Sequence, residues 1–415
     1  MKEPAGPMAG VRVVEVSHYV AGPMIGRTMA DLGAAVTKIE LAKHGDGARN
    51  NPPFISGVSA AFAVQNLGKK SVCLDFKTPR GAQLAQALAA RADVFIENFT
   101  PGVLAKYGLS YEELSRLNPR LIMCSVSSYG QLGPYAQKPG NDPVAMALSG
   151  VMSVNTHPGM APVYTGASVT IADGVAGLHG FGAVCTALYH RMVTGKGQFI
   201  DVSLAHAMAH INHPAIARYM AGSPLPLPLG SHGTTLCPFG VFKGTGGYIV
   251  VTVHAHEWER FTQAIGKPEL AQDPRYAEQT ERMRNQAEVI KIVEDWMQTF
   301  PSMAEPLAAL ERFRINCAPV LDAAGVVTDA RVGFERLLQP VEVPGGQPHS
   351  YPKTPFFFSD SQVAISGRAS LLGEDNERIL AAELGISDKE LAELAAAGVT
   401  YHEPMVDEMR AKKLI

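Results

Sequence analysis

Residues 169–180, VTIADGVAGLHG, set one carboxylate, Asp173, among small and apolar neighbours. A bare carboxylate in such company is costly unless it caps a helix, meets a partner or does chemistry. At a helix start the macrodipole keeps it ionised, and Gly174 and Gly177 leave room for a bulky ester. Those are the needs of a carboxylate nucleophile, which attacks an activated acyl group and forms an anhydride. An ordinary first-turn aspartate fits the same description, so pattern alone leaves both readings open.

Other chemistries are weaker. The turn HYVAGPMIG after the first strand lacks GxGxxG, although Glu40 mimics the ribose-binding acid of a dinucleotide fold. His206, His210 and His213 in HAMAHINH share a face of a possible helix, yet no acidic fourth ligand stands at a recognised spacing, and packing histidines are the plainer reading. Neither GxSxG nor GxxxxGK[ST] occurs. The cations of GKKS (68–71) and Lys106 read singly as solvated charges, and together as partners for an anionic cofactor at strand ends.

The elements that must position Asp173 follow from periodicity. Strand-like runs GVRVVEVS (10–17), AAVTKIE (34–40), SVCLDF (71–76), DVFIEN (93–98) and LIMCSVSS (121–128) alternate with helical segments. That alternation means βαβ units and a parallel sheet with functional loops at its strand ends. From Gly166 to about Arg191 the pattern is apolar all round, so a buried helix is expected. Its four glycines, 174, 177, 180 and 182, each weaken it by roughly 1 kcal/mol, which calls for close approach of another backbone or a ligand. GSPLPLPLGSHG near 222 and EVPGGQPHSYPKTP near 342 read as linkers, and GVFKGTGGYIVVTV between them as a hairpin.

A chain of 415 residues is too long for one ordinary core. A net charge of −3 argues against a nucleic-acid binder. No signal-peptide core and no uninterrupted membrane-spanning stretch is evident. Five scattered cysteines without CxxC suit thiols in a reducing cytosol, so a cytoplasmic protein is expected.

Blocks along most of the chain resemble the class III CoA-transferases, the family of formyl-CoA, carnitine and bile-acid CoA-transferases. They include GVRVVEVSHYVAGPMIGRTMADLGAAVTKIE, NLGKKSVCLDFKTPRG, DVFIENFTPGVL, GNDPVAMALSGVMS, TGASVTIADGVAGLHG, GKGQFIDVSL and LLGEDNERIL. The resemblance implies an α/β fold: a Rossmann-like large domain from both chain ends (1–222 and 342–415), a smaller α+β domain (223–341), and an interlocked homodimer. It implies Asp173 as nucleophile, with His18, Val20 and Ala21 lining the CoA site. Asn98, Phe99 and Lys106 would lie beside the CoA adenine and phosphates. Three positions depart from the family pattern: Leu41 replaces a basic residue, Thr100 an arginine, and Val20 a glutamine able to hydrogen-bond at the reacting centre.

The activity so implied is transfer of CoA between carboxylic acids, through an aspartyl–acyl anhydride and an aspartyl-CoA thioester. Acyl-CoA and a small carboxylic acid are substrates; no permanently bound cofactor, metal, nucleic acid or membrane is expected. Backbone N–H groups near Gly140 and around Asp173 are candidate oxyanion donors. The rival is an α-methylacyl-CoA racemase, which needs an acid and a base on opposite faces of the α-carbon. Racemases of this fold carry histidine in the GNDP motif (140–143); here Asn141 has no useful proton affinity. Asn141 is expected to donate a hydrogen bond at the reacting centre, with Asp142 orienting its neighbours. A CoA-binding protein without catalysis would more naturally lack the acid at 173.

Overall fold

A computed structural model describes residues 6–164, 169–223, 230–343 and 346–415. These residues form two compact units, one of residues 6–149, 169–211 and 335–415, the other of 150–164 and 212–334. Residues 150–164 thus fold with the second unit, whereas the sequence places them in the large domain.

The first unit is built on six parallel strands: β1 (Arg12–Val16), β2 (Ala35–Leu41), β3 (Lys70–Leu74), β4 (Val94–Glu97), β5 (Ile122–Ser127) and β6 (Phe199–Ser203). Their spatial order is β3-β2-β1-β4-β5-β6. Chain direction across the sheet reverses between β1 and β4, and the crevice above such a point is where open α/β sheets take ligands. Every residue of β4 and β5 is buried, as strands covered on both faces must be.

Helices of this unit are α1 (Ala21–Asp31), α2 (Ala60–Asn66), α3 (Pro79–Ala90), α4 (Tyr111–Leu117), α5 (Asp142–Leu148), α7 (Ile171–Thr194) and α8 (Leu204–Ile211); the one-turn α6 (Val151–Val154) belongs to the second unit. Thr78 starts α3 by accepting the Gly81 amide at 3.1 Å, with Pro79 in the first turn, the usual chemistry of a helix start. After the second unit the chain returns as α15 (Asn376–Leu384), α16 (Asp388–Ala396) and α17 (Pro404–Ala411). Two residues of its LLGEDNERIL block hold the sheet edge. Asp375 accepts the Ser71 amide at 2.9 Å, and Asn376 accepts the Cys73 amide at 2.7 Å. These two side chains close the open edge of β3, which would otherwise be free to pair with another strand. Residues 342–355 are not a plain linker, because His349–Pro352 pairs antiparallel with Leu338–Val341.

The long helix α7 departs from expectation. Only one stripe is buried (Ala172, Ala176, Gly177, Gly180, Val184, Ala187), while Tyr189 and Met192 are 69% and 82% exposed. Two of its glycines do mark close approach. A Cβ at Gly177 would stand 3.0 Å from the Ala21 carbonyl oxygen of α1, and one at Gly180 would strike the Ile25 side chain. Gly182 faces open space, so close packing does not account for it. By length and composition alone α7 is long and apolar enough to cross a bilayer, although Asp173 and Arg191 interrupt its apolar run. Its buried stripe is instead packed into the core of this unit.

The second unit carries an antiparallel sheet of β7 (Phe239–Gly244), β8 (Gly247–Thr252) and β9 (Asn316–Pro319), with β8 in the middle. The expected hairpin is present, turning through Gly246 at φ +78°. Besides α9 (His213–Met220) it includes α10 (Trp258–Ala264), α11 (Gln279–Arg284), α12 (Gln286–Met297), α13 (Ala304–Arg312) and α14 (Ala323–Thr328). Phe242, Ile249, Val251, Phe261, Val293 and Leu310 make its core. Of the linker near 222, residues 224–229 lie outside the described residues.

Candidate active site

Asp173 lies in the first turn of α7, whose N-cap Thr170 makes no side-chain cap bond. Asp142 at the start of α5 does the capping. Its Oδ1 accepts the Ala172 amide at 2.6 Å and the Asp173 amide at 3.1 Å. Burial, and secondly the negative charge of Asp142, push the Asp173 carboxyl up to about 6. At neutral pH it is ionised and more basic than an ordinary aspartate, which favours attack on a carbonyl carbon.

This capping also corrects the expected oxyanion donors. The Ala172 and Asp173 amides are taken by Asp142, and the Gly174 amide donates to the Thr170 carbonyl at 2.9 Å. The first turn of α7 therefore orders the nucleophile and leaves those three N–H groups no free part in charge stabilisation.

At the β1–β4 reversal, His18 and Asn98 bind each other twice. The His18 amide donates to Asn98 Oδ1 and Asn98 Nδ2 donates to the His18 carbonyl, both at 2.8 Å. Phe99 meets the His18 ring edge-on at 5.0 Å. Burial lowers the His18 pKa, so its ring is a neutral surface beside the crevice. Val20 precedes α1 without capping it, and Ala21 is buried under Gly177 of α7. Through that contact the loop after β1 and the nucleophile helix are joined.

A cleft of about 60 Å³ is lined by Asn98, Phe99, Thr100, Ser127, Lys138 and Gly140 among others. It leads from the His18–Asn98 pair to Gly140, next to Asn141 at the N-cap of α5. Asn141 is exposed and makes no side-chain cap bond, so the backbone places it one residue from the carboxylate that caps Asp173. Lys106 sits exposed on a 3₁₀ turn (Leu104–Tyr107) and is not among the cleft residues; Lys138 is the cation there. Lys138 carries no motif in the sequence. Its place between Tyr135 and Gly140, just before GNDP, is the available signal.

Several sequence candidates have other employment. Glu40 is held bidentately by Arg49, both contacts at 2.7 Å, and also accepts from Ser71 Oγ, so it is not poised for a ribose. Lys69 of GKKS is buried against Glu15 at 2.8 Å rather than solvated, and burial lowers it to about 7. The three histidines do not share one helix: α8 ends at Ile211 and His213 begins α9. Among the described residues no cluster of three or more His, Cys, Asp or Glu is disposed to hold a metal.

The sequence profile of CoA-transferase family III matches residues 8–376. The chain belongs to CoA-transferase family III. It is 32% identical over 383 residues to succinate–glutarate CoA-transferase of Agrobacterium fabrum, covering 90% of this chain and 95% of that one. It is similar, at 31% over 413 residues, to formyl-CoA:oxalate CoA-transferase of Streptomyces coelicolor, covering 95% and 99% respectively. The crystal structure of a CaiB/BaiF family protein from Brucella suis superposes with a TM-score of 0.82 at 33% identity, covering 91% of this chain and 100% of that one. As a family III CoA-transferase the chain is an enzyme, with CoA thioesters as its substrate class, and the isomerase alternative is not favoured.

Proposed function

We propose that this enzyme moves CoA between carboxylic acids by covalent catalysis at Asp173. The observation that carries the reading is an ionised, elevated-pKa carboxylate at the start of α7, tied through Asp142 to the end of the strand-end cleft. An Asp173 oxygen attacks the donor thioester carbon; the C–S bond breaks and CoA thiolate leaves, giving an aspartyl–acyl anhydride. The thiolate then attacks the Asp173 carboxyl carbon and expels the donor acid as its carboxylate. The acceptor carboxylate attacks the resulting aspartyl-CoA thioester, and returning thiolate takes the new acyl group off Asp173. No net proton is transferred, so Asn141 suits the site as a hydrogen-bond donor and need not be a base.

On this reading His18, Val20, Asn98 and Phe99 face the CoA, with the backbone of buried Ala21 behind them and Lys138 and Lys106 for its phosphates. We read the large domain as Rossmann-like, a reading supported by the parallel strand order β3-β2-β1-β4-β5-β6. We assign the exposed apolar face of α7 (Leu178, Tyr189, Met192, Val193) to a second copy of the chain in an interlocked homodimer, not to a membrane or nucleic acid. The five free cysteines, three of them buried, suit a cytoplasmic setting. The test is to incubate acyl-CoA donors with a panel of carboxylic acids and identify new acyl-CoA esters by mass spectrometry. Transfer to an added acid is expected; hydrolysis alone would contradict it.

A further inference from the structure

The turn between β1 and α1 is strained and held from below. Tyr19 adopts φ +61°, a left-handed conformation that residues other than glycine rarely take. The residue is 53% exposed, so core packing does not impose the shape. The backbone bonds do. The Ser17 carbonyl accepts from Lys38 Nζ at 2.8 Å, Asn98 holds the backbone N–H and C=O of His18, and the Tyr19 amide donates to Asp46 Oδ1 at 3.0 Å.

Asp46 is itself fixed on all sides. Its side chain is fully buried; Oδ1 also accepts the Ala48 amide at 2.9 Å, and Oδ2 faces Lys38 Nζ at 3.1 Å. Its own amide donates to Glu40 Oε2 at 3.0 Å, and Glu40 is clamped by Arg49. Lys38 in turn reaches Glu15 at 2.9 Å. The chain of charges runs from the sheet interior to one exposed turn; Lys38 touches it at the Ser17 carbonyl, and Asp46 holds its strained residue through the Tyr19 amide.

We propose that Asp46 is a positioning residue for CoA, acting through the Tyr19 amide to hold the Ser17–Val20 turn ready for the ligand. The inference rests on the CoA reading of that loop and goes beyond it, because Asp46 touches no substrate. In Asp46→Asn the amide oxygen can still accept from Tyr19 and Ala48, although its Nδ2 replaces the oxygen that faces Lys38, whereas Asp46→Ala removes the acceptor as well.

The experiment compares steady-state kinetics of the wild type and both variants with an acyl-CoA donor and a carboxylic acid acceptor, folding being checked by circular dichroism. Asp46→Ala is expected to raise the acyl-CoA KM about tenfold, as loss of a charge-assisted hydrogen bond would, with kcat and the acceptor KM little changed. Asp46→Asn, which keeps the acceptor for Tyr19 but not the ion pair with Lys38, should recover part of the loss. If the alanine variant does not fold, Asp46→Leu, close in shape and without an acceptor, takes its place with the same expected KM rise. An unchanged acyl-CoA KM in a folded variant, or an asparagine variant as impaired as alanine, overturns the inference while wild-type transfer preserves the functional reading. A wild type that neither binds nor transfers CoA overturns both.

Discussion

Asp142 Oδ1 accepts the amide of Asp173 at 3.1 Å, so two carboxylates share the N-terminus of one helix. The arrangement orders the nucleophile and raises its basicity together. Since Asp173 is pushed up to about 6 and must be ionised to attack, kcat/KM should fall as pH drops through 6. Asp142→Asn keeps an acceptor for the helix amides and removes the like charge. Its acidic limb should move to lower pH, measurable in a pH–rate profile; a limb that stays in place would show that burial alone sets the value.

A stability consequence has the opposite sign from the usual aspartate. The folded pKa of about 6 lies above the ordinary aspartate value of 3.8, so ionisation costs folding energy, fully above pH 6 and not at all below about 4. The shift corresponds to about 2–3 kcal/mol. Asp173→Asn should therefore melt higher than wild type at pH 7.5, with the difference vanishing near pH 4. Equal melting temperatures at both pH values would mean that burying the ionised Asp173 beside Asp142 costs no folding energy.

The reciprocal bond between His18 and Asn98 joins the two loops at the reversal of the sheet. Asn98→Ala removes two hydrogen bonds, each worth about 1 kcal/mol. Acyl-CoA affinity by titration calorimetry should weaken about tenfold, and circular dichroism should show an intact fold. Unaltered affinity would mean that the pair only tidies the loops.

Much of the fold is legible in the sequence. Five of the six parallel strands stand out as apolar runs between helical segments, because strand and helix periods differ so plainly. Asp173 stands out for its apolar company. What is not legible depends on contacts far apart in the chain. Glu40 resembles a ribose acid because nothing in its neighbourhood announces Arg49 as a clamp. Lys69 reads as solvated because its partner Glu15 lies fifty-four positions away. For α7, composition alone does not separate a helix buried all round from one with a buried stripe and an exposed apolar face. Asp142 as the cap of another helix, and Lys138 as the cleft's cation, likewise need the fold to bring them into place.

The cleft distinguishes two lysines. Lys138 lines it and Lys106 does not, so Lys138→Ala should raise the acyl-CoA KM more than Lys106→Ala, the larger effect being roughly tenfold or more for a charge-assisted phosphate contact. The acceptor-acid KM should be unmoved in both. A larger effect at Lys106 would place the phosphates outside the cleft.

Asn141 cannot abstract an α-proton. A 2-methylacyl-CoA incubated with the enzyme in deuterium oxide should therefore show no α-hydrogen exchange at a rate comparable to turnover, read by mass spectrometry. Rapid exchange without an acceptor acid would restore the isomerase.

Covalent catalysis at Asp173 is tested most directly by trapping the enzyme during turnover. The enzyme is mixed with an acyl-CoA donor, treated with hydroxylamine or borohydride, digested and analysed by mass spectrometry. Modification is expected on the peptide containing IADGVAG, localised to Asp173, and its loss together with turnover in a folded Asp173→Ala variant. Full transferase activity in that variant, or an adduct on any other residue, would contradict the mechanism.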